Sequence, residues 1–391
     1  MLEALRSLLA ATAVIAAAPI AVALLPGRVP QVVALILGGI AIGPMALGLG
    51  QPEHVELFAH LGLGFLFLLA GYELEPSLLR ERAGRLAMAS WLISAVMSIA
   101  VVGVLARAGF VRAFMPVAIG LTTTALGTLL PVLREHHMHR GAFGRYIFAA
   151  GAIGEIGPVL AIAILLGRHG SLLELLGVSA VAAVAFLLSV VPRLIRGTLL
   201  GRVIAEKAHD TSQTTLRLTV LLLVLLLLLS AEFGLDIVLG AFFAGMVLRR
   251  SATDDVASLE HKLDAVGYGF FIPVFFVSSG MGLDVRTIVE RPLRLLVFFA
   301  LLLLVRGVPS LVLYRRELPP VRRVQLALLT ATALPLLVAL AEVGLDSGMM
   351  LPENAAALVG AGVLSVALFP LLAVRLERRA RAQDAAAMVR G

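Results

Sequence analysis

The sequence contains no cysteine and one tryptophan, and only 15% of its 391 residues are charged. The absence of cysteine excludes disulfide bonds, thiol catalysis and metal sites with cysteine ligands. The scarcity of charge excludes an ordinary soluble domain, in which about 25% of residues are charged. Hydrophobic residues make up 60% of the chain, and we therefore predict an all-α membrane protein that crosses the bilayer many times.

Long apolar runs fill the chain, and we predict about thirteen membrane-spanning helices, each near the ~20 residues that a bilayer requires. We assign residues 1–375 to a single transmembrane transporter domain and residues 376–391 to a short basic tail. The first run is rich in alanine, but Glu3 offsets Arg6 and no clean cleavage site follows. We therefore expect a retained first helix rather than a cleaved signal peptide.

The basic residues are divided unevenly between the two sides of the predicted helices. Alternate loops and the C-terminal tail hold 24 lysines and arginines, the other loops hold 7, and Arg306 lies inside a span. Because cytoplasmic loops carry the excess of basic residues, we place the N-terminus outside and the C-terminus in the cytoplasm of a bacterium, with the chain in its inner membrane. The net charge of +7 is thus a topology signal, and we predict no nucleic-acid partner.

Glu155 is the only charged residue in the apolar run 149–163. A carboxylate at bilayer depth costs about 2.5–3.5 kcal/mol on insertion scales, so such residues usually face a cavity or a partner and mark ion or proton paths. Gly154, Gly157 and Pro158 lie close to it and are predicted to interrupt its helix. We predict that Glu155 binds an ion or a proton; the alternative is a structural hydrogen bond between helices.

Two threonine-rich segments form an internal repeat. Residues 122–127 (TTTALG) and 330–335 (TATALP) are identical at four of six positions, at an offset of 208 residues. An odd number of predicted spans separates them, so the two copies run in opposite directions through the membrane, as in an inverted-topology repeat. Each copy lies beside helix breakers, which are Gly127 and Pro131 in the first and Pro335 in the second.

Backbone freed from helix hydrogen bonds at membrane depth is tolerated only where it lines protein or water. Free carbonyl groups and threonine hydroxyls offer oxygen ligands to a cation. The candidate ligands beside Glu155 are Thr122, Thr123, Thr124 and Thr332. The alternative is that the threonines only let helices pack closely, but two interrupted copies in matching positions favour a monovalent cation site.

Four further segments carry a resemblance to a known family. They are residues 33–44 (VALILGGIAIGP), 61–75 (LGLGFLFLLAGYELE), 234–245 (GLDIVLGAFFAG) and 273–284 (PVFFVSSGMGLD). Their order along the chain strengthens the match, which covers about residues 30–375. The chain resembles the monovalent cation:proton antiporter-2 family, within the larger sodium/proton exchanger superfamily.

The resemblance implies a core bundle, at about 56–167 and 264–375, and a dimerisation bundle, at about 5–49 and 171–250. The core would carry the ion in an elevator-type movement, and the two threonine-rich segments would be its crossing broken helices. The family's ion-binding carboxylate falls on Glu155. The implied partners are a second copy of the chain, membrane lipid, protons and Na⁺, K⁺ or Li⁺, with no cofactor.

Two departures from the family pattern bear on the chemistry. The family usually has aspartate at the position of Glu155, and aspartate, asparagine or glutamine at the position of Gly154. One carboxylate instead of two implies that one charge is exchanged for one, which is electroneutral transport. A single carboxylate suffices for antiport, because it is close to neutral when it holds either a proton or a monovalent cation.

Arg306 is the other charge at membrane depth, and it cannot release a proton at any usable pH. We expect it to pair with a carboxylate or to bond carbonyl groups of a broken helix. Glu155 and Glu73 are the candidate carboxylates. A permanent pair with Glu155 would neutralise the empty site and uncouple transport, so direct pairing stays open.

Several other polar residues have two interpretations. Ser278 and Ser279 would line the ion path or simply pack helices. His136, His137 and His139 lie in a predicted cytoplasmic loop, where a pH sensor or a metal site is conceivable and a solvated loop is favoured. Four acidic residues near span ends are expected to be solvated: Glu232, Asp236, Glu342 and Asp346.

These features together predict a secondary antiporter that exchanges H⁺ for a monovalent cation. The alternative is a sodium-coupled symporter of an organic anion on the same scaffold, which would need two sodium sites and a larger polar cavity. A membrane enzyme would need a nucleophile–base pair or a metal-binding set at membrane depth, and the sequence offers neither. A channel is disfavoured because inverted repeats favour alternating access.

Overall fold

A computed structural model describes residues 1–24, 30–73, 80–139, 141–165, 171–195, 213–233, 235, 237–251, 256–346 and 348–390. All regular structure in these ranges is helical, which confirms the all-α prediction. The α-helices are, in chain order, α1 (Leu2–Leu24), α2 (Gln31–Ile42), α3 (Glu56–Glu73), α4 (Arg82–Arg107), α5 (Phe114–Gly120), α6 (Leu126–Glu135), α7 (Gly141–Leu165), α8 (Ser171–Ile195), α9 (Thr214–Glu232), α10 (Ile237–Ser251), α11 (Val256–Val266), α12 (Ile272–Met281), α13 (Val285–Glu290), α14 (Pro292–Leu302), α15 (Val308–Leu313), α16 (Pro320–Thr330), α17 (Pro335–Asp346) and α18 (Pro352–Arg390).

Eight helical stretches of the described chain are long and apolar enough to cross a membrane. They are Leu2–Leu24, Arg82–Arg107, Gly141–Ile162, Thr214–Glu232, His261–Met281, Pro292–Arg316, Pro320–Leu345 and Pro352–Glu377. Three shorter apolar helices lie at Gln31–Ile42, Glu56–Tyr72 and Gly177–Val190. The chain is therefore a multi-pass membrane protein, while the number of thirteen spans and the sidedness of the termini stay predictions.

The chain forms two compact units. The first unit contains Met1–Ile20, Leu35–Leu74 and Val159–Gly282. The second unit contains Ala21–Ala34, Glu75–Pro158 and Leu283–Gly391. This division differs from the predicted bundles, because residues 56–74 and 264–282, which we expected in the core bundle, belong to the first unit together with residues 171–250.

Glycines bring α3 and α10 into backbone contact within the first unit. A Cβ atom added to Gly71 would lie 2.1 Å from the carbonyl oxygen of Phe242, and one added to Gly245 would lie 2.0 Å from that of Leu68. Small residues allow membrane helices to approach this closely, so that van der Waals packing holds them together. The contact explains why α3 belongs to the first unit.

The same arrangement joins α2 to α12. A Cβ atom added to Gly39 would lie 2.2 Å from the carbonyl oxygen of Val277, and one added to Gly280 would lie 2.3 Å from that of Ile36. Hydropathy alone does not show which apolar helices meet in this way. These glycine contacts are the physical reason why α12 packs in the first unit.

Two helices of the second unit are interrupted. Residues 121–125, which we call the first break, are not helical and separate α5 from α6. Residues 331–334, which we call the second break, separate α16 from α17 in the same way. The threonine-rich segments therefore fall where the helices stop, as the repeat predicts.

The residues that interrupt these helices differ from the predicted breakers. Gly127 is the second residue of α6 and Pro131 lies inside α6, so neither ends a helix. Thr122 and Thr123 lie inside the first break, and their hydroxyls bond carbonyl groups of α5 and compete with helix continuation. Pro335 is the first residue of α17, where its missing N–H costs no helix hydrogen bond.

The helix that carries Glu155 is not broken. Gly154, Gly157 and Pro158 lie inside α7, which is continuous, so the prediction that they interrupt it is wrong. A Cβ atom added to Gly157 would lie 2.4 Å from the indole ring of Trp91 on α4. Gly157 therefore makes room for a bulky neighbour, and Gly154 lies against Thr124 of the first break.

Candidate ion-binding site

The two breaks bond directly to each other. The backbone N–H of Ala125 donates to the carbonyl oxygen of Thr332 at 2.8 Å. The Thr124 hydroxyl donates to the carbonyl oxygen of Thr330 at 2.6 Å. Each break thus satisfies backbone groups that the other leaves without a helix partner, which buried backbone requires.

A carbonyl group of α7 supplies a third connection. The oxygen of Gly154 accepts the backbone N–H of Thr124 at 3.0 Å. In a regular helix this oxygen would accept the N–H of the residue four positions later, which here is Pro158 and has no N–H. Pro158 therefore leaves α7 continuous and makes the Gly154 carbonyl available to the first break.

The Glu155 side chain lies at the start of α6, directly after the first break. Its Oε1 atom accepts the backbone N–H of Leu126 at 2.7 Å and, more weakly, that of Gly127 at 3.4 Å. The first N–H groups of a helix have no intrahelical acceptor and carry partial positive charge, so they stabilise an anion. The half-buried carboxylate thereby lies beside the first break, which contains three of the four candidate threonine ligands.

Arg306 lies in a π-helical turn, Leu303–Gly307, between α14 and α15, and it is 1% exposed. Its Nη2 atom donates to the Thr124 hydroxyl oxygen at 2.7 Å and to the Ala150 carbonyl oxygen at 3.3 Å, and its Nε atom donates to Thr124 at 3.2 Å. The guanidinium thus bonds the first break and α7 together. In the first break Arg306 bonds a hydroxyl and not a carbonyl group, and the carbonyl group that it does bond belongs to the continuous helix α7. Pairing of Arg306 with Glu155 stays a prediction.

The four candidate threonines differ in what their hydroxyls do. Thr122, Thr123 and Thr332 each donate to a carbonyl oxygen of the preceding helical turn, at 2.7, 2.8 and 3.1 Å. Their oxygens keep lone pairs for a cation. The Thr124 oxygen accepts two N–H groups of Arg306, so that residue is better described as the partner of the arginine than as a cation ligand.

Other predicted residues lie elsewhere or outside the described part of the chain. Glu73 ends α3, and its side chain is outside the described residues, as is Asp236. Ser278 and Ser279 lie on α12, where the Ser279 hydroxyl donates to the Phe275 carbonyl oxygen at 2.8 Å within its own helix. Both serines belong to the first unit, whereas both breaks belong to the second.

The three histidines follow the end of α6. The Nδ1 atom of His139 lies 3.3 Å from the carbonyl oxygen of Leu133 in the last turn of α6. Among the described residues, no group of three histidine, aspartate or glutamate side chains could hold a metal ion. The cluster therefore gives no support to a metal site, and its role as a pH sensor is not tested by this geometry.

Sequence reasoning missed the residues that support the second break. Ser365 on α18 is fully buried, and its Oγ atom accepts the N–H of Ala333 at 3.0 Å and lies 2.9 Å from the carbonyl oxygen of Ala333. Ser310 lies 3.2 Å from the Thr330 hydroxyl. A lone serine in an apolar span is a weak sequence signal for such support. Pro158 is a stronger signal, because a proline four residues after Gly154 leaves the Gly154 carbonyl group without its helix donor.

The chain is similar to known ion transporters over most of its length. The sequence profile of the sodium/hydrogen exchanger transmembrane family matches residues 10–374. YjbQ of Bacillus subtilis, a putative Na⁺/H⁺ antiporter, is 26% identical over 387 residues, which cover 90% of this chain and 59% of that protein. The glutathione-regulated potassium-efflux system protein KefC of Salmonella schwarzengrund is 28% identical over 373 residues, which cover 92% of this chain and 58% of that protein. The chain thus spans less than two thirds of the length of these relatives.

The fold is shared with a solved structure of a known antiporter. The sodium proton antiporter MjNhaP1 from Methanocaldococcus jannaschii, in a structure at pH 8, matches this chain with a TM-score of 0.61. The match covers 95% of this chain and 96% of that chain at 18% identity. At this identity the likeness supports the helical arrangement and assigns no role to individual residues.

Proposed function

Because the chain belongs to the sodium/hydrogen exchanger family, whose members are transporters rather than enzymes, we propose that it exchanges a monovalent cation for a proton across the membrane. The observation that carries this proposal is the position of Glu155, whose carboxylate lies at the start of α6 beside the first break. In this proposal the cation and the proton compete for that one carboxylate.

The start of α6 suits a carboxylate that alternates between a charged form and a form neutralised by a proton or a cation. Backbone N–H groups and the helix dipole stabilise the negative charge, so the site holds an anion ready to receive a cation. A proton or a bound monovalent cation brings the carboxylate close to neutrality. Each loaded form therefore crosses a hydrophobic barrier at lower cost than the bare charge, and this difference couples the two ion fluxes.

The oxygen ligands around the cation are proposed from the two breaks. Thr122, Thr123 and Thr332 keep acceptor lone pairs, and interrupted helices supply carbonyl oxygens. We leave Thr124 out of this set because its oxygen already accepts two N–H groups of Arg306. Hard oxygen ligands of this kind suit Na⁺, K⁺ or Li⁺, and the transported ions require no cofactor.

We propose one-for-one, electroneutral exchange, because Gly154 contributes no second carboxylate beside Glu155. The two breaks, which fall within the repeated threonine-rich segments, support an inverted repeat and alternating access. We further propose that the second unit, which contains both breaks, is the part that moves in an elevator-type cycle. In this proposal the first unit stays fixed and forms the contact between the two copies of the predicted homodimer.

The names of the relatives favour an antiporter and leave two cations open. YjbQ is named for Na⁺/H⁺ antiport and KefC for potassium efflux. We therefore propose Na⁺ or K⁺ as the cation. None of the relatives described above is named as a symporter of organic anions, so that alternative is not proposed again.

Everted membrane vesicles with a pre-formed proton gradient test the proposal. Addition of Na⁺, K⁺ or Li⁺ should collapse the gradient in vesicles with the wild-type protein. Glu155→Gln should respond to none of them, because the amide neither binds a cation strongly nor exchanges a proton. Glu232→Gln is the matched control, since Glu232 is an exposed carboxylate at the end of α9, and it should behave as wild type.

The result that would overturn the proposal is an unaltered response of Glu155→Gln. A rate that does not change with membrane potential is expected for one-for-one exchange. A rate that rises or falls steeply with the potential would contradict electroneutrality and leave the antiport proposal standing.

A further inference from the structure

The space beside Gly154 is filled by side chains from two other elements. A Cβ atom added to Gly154 would lie 2.5 Å from Thr124 Oγ1, 2.6 Å from Thr124 Cβ and 2.7 Å from Arg306 Nη2. Real Cβ atoms essentially never approach another heavy atom within 3.0 Å. Thr124 and Arg306 can therefore meet at this point only because residue 154 has no side chain.

Thr124 is the fixed member of this group. Its hydroxyl donates to the Thr330 carbonyl oxygen at 2.6 Å, and its backbone N–H donates to the Gly154 carbonyl oxygen at 3.0 Å. The N–H of the next residue, Ala125, is also bonded, to the second break. Because the backbone is held on both sides, Thr124 has little freedom to move, and a side chain at position 154 would displace Arg306 first.

We propose that Gly154 is a positioning residue that keeps the Arg306 guanidinium on Thr124. Arg306 then acts as a fixed cation at the first break and does not compete with the transported ions for the carboxylate of the adjacent residue, Glu155. The inference rests on the proposed function, because it concerns what competes with those ions for Glu155. It also gives a reason why this chain has glycine beside its only carboxylate in the span.

Displacement of the guanidinium has a predictable consequence. Arg306 is 1% exposed and keeps its charge at any usable pH, so it must find another acceptor when it leaves Thr124. The adjacent anion on α7 is the Glu155 carboxylate. A displaced Arg306 therefore becomes a tethered competitor of the transported cation, which weakens cation binding without removing the carboxylate.

Carbodiimide labelling measures this competition without transport. Dicyclohexylcarbodiimide reacts with carboxyl groups in apolar sites, and a bound cation protects them. The purified full-length protein is labelled at a fixed pH, and the Na⁺ or K⁺ concentration that halves labelling of Glu155 is determined. Gly154→Ala should raise that concentration roughly tenfold, since the freed guanidinium is a buried charge that seeks the carboxylate.

Substitution of Arg306 distinguishes the proposed effect on the position of its guanidinium from a general packing defect at residue 154. In Gly154→Ala combined with Arg306→Gln, the half-protecting concentration should return to within roughly twofold of that of Arg306→Gln alone, because no guanidinium is left to compete. Gly103→Ala is the matched control, since the nearest atom to an added Cβ there is the Phe114 ring at 3.7 Å, and it should titrate as wild type. The proposal is overturned if Gly154→Ala titrates as wild type, or if the double variant is no better than Gly154→Ala.

Thermal unfolding distinguishes this inference from the proposed function. If Arg306 occupies the space of a side chain at 154, Arg306→Gln should recover part of the stability that Gly154→Ala loses. Recovery together with an unaltered Glu155→Gln exchange would overturn the proposed function and leave the contact between 154 and 306 intact. No recovery, with Glu155→Gln inactive, would overturn only the role of Gly154.

Discussion

The two units hold their helices together by different means. In the first unit, glycines on α2, α3, α10 and α12 bring backbones into contact, and van der Waals packing dominates these crossings. In the second unit, two interrupted helices exchange hydrogen bonds with each other, with α7 and with Arg306. The first unit shows close backbone packing at these crossings, and the second unit adds polar contacts at the breaks to its own apolar core.

This difference predicts which substitutions change folding stability and which change ion exchange. Glycine contacts leave no polar group to bind an ion, but they tolerate almost no change of volume. Carbonyl and hydroxyl oxygens remain at the breaks beside Glu155. When one hydrogen-bond partner there is replaced, the remaining donors and acceptors can bond to other groups. A substitution in the first unit should therefore act mainly on folding, whereas one at the breaks should act mainly on exchange.

Gly71→Ala should have the largest effect on stability. Its Cβ would lie 2.1 Å from the Phe242 carbonyl oxygen, and backbone cannot move aside as a side-chain end does. We expect a loss of about 3 kcal/mol in the free energy of unfolding, the upper part of the range for overpacked cores. Thermal unfolding of the purified protein in detergent measures it.

Gly64→Ala on the same helix is the control for that prediction. An added Cβ there meets the Leu227 Cδ1 atom at 3.2 Å, which is a side-chain end that can shift. Equal losses for the two variants would remove the distinction between backbone and side-chain contacts. It would also weaken the view that α3 and α10 are held by their glycines.

Pro158→Ala should have an intermediate effect, confined to exchange. Alanine supplies an N–H that competes with Thr124 for the Gly154 carbonyl oxygen, so the first break loses an anchor. We expect exchange to slow roughly tenfold, the factor that corresponds to one lost hydrogen bond, with folding stability unchanged or slightly raised. Initial rates in everted vesicles measure the change.

Pro19→Ala is the matched control, because Pro19 also lies inside a helix, α1, but in the first unit. It should leave the exchange rate unchanged. A slower rate in Pro19→Ala, or a wild-type rate in Pro158→Ala, would contradict the role given to the Gly154 carbonyl.

The smallest expected effect concerns Glu317, between the predicted spans of the second unit. The Tyr146 hydroxyl donates to its Oε2 atom at 2.8 Å, and Arg82 forms an ion pair with it. The Tyr146 hydrogen bond, and then Arg82, lower the pKa of Glu317 despite some opposing desolvation. A lowered pKa stabilises the folded state above the ordinary glutamate pKa, and this stability is lost as the pH falls through the folded value.

Tyr146→Phe should therefore lower the unfolding temperature slightly at pH 7, and the difference from wild type should shrink in acid. Unfolding at pH 7 and at about pH 4, near the ordinary glutamate pKa, compares the two conditions. A difference that grows in acid would show that Tyr146 acts through something other than the charge of Glu317.

Much of the fold could be predicted from the sequence, because its signals are long and repeated. Apolar runs indicate a multi-pass helical protein, and the family resemblance is confirmed by the profile match over residues 10–374. The assignment of α3 and α12 to a unit could not be predicted, since it depends on glycines that meet across helices. Pairing of this kind leaves no periodic pattern in one sequence.

The site divides in the same way. Glu155 stands out because it is an isolated charge, and the threonine repeat marks both breaks. The effect of Pro158 was predicted wrongly, because a proline inside a helix can release a carbonyl group without ending the helix. Arg306 reaches Thr124 through the space that Gly154 leaves open. The sequence does not reveal the role of this glycine, because that role depends on residues that are distant along the chain.

The contact between Trp91 and Gly157 has a practical consequence. Trp91 is the only tryptophan of the chain, so the tryptophan fluorescence of the unmodified protein comes from a single indole ring. That ring lies against α7 two residues beyond Glu155. The protein thus carries a native optical reporter next to its proposed ion site, and ion titrations followed by emission need no introduced dye.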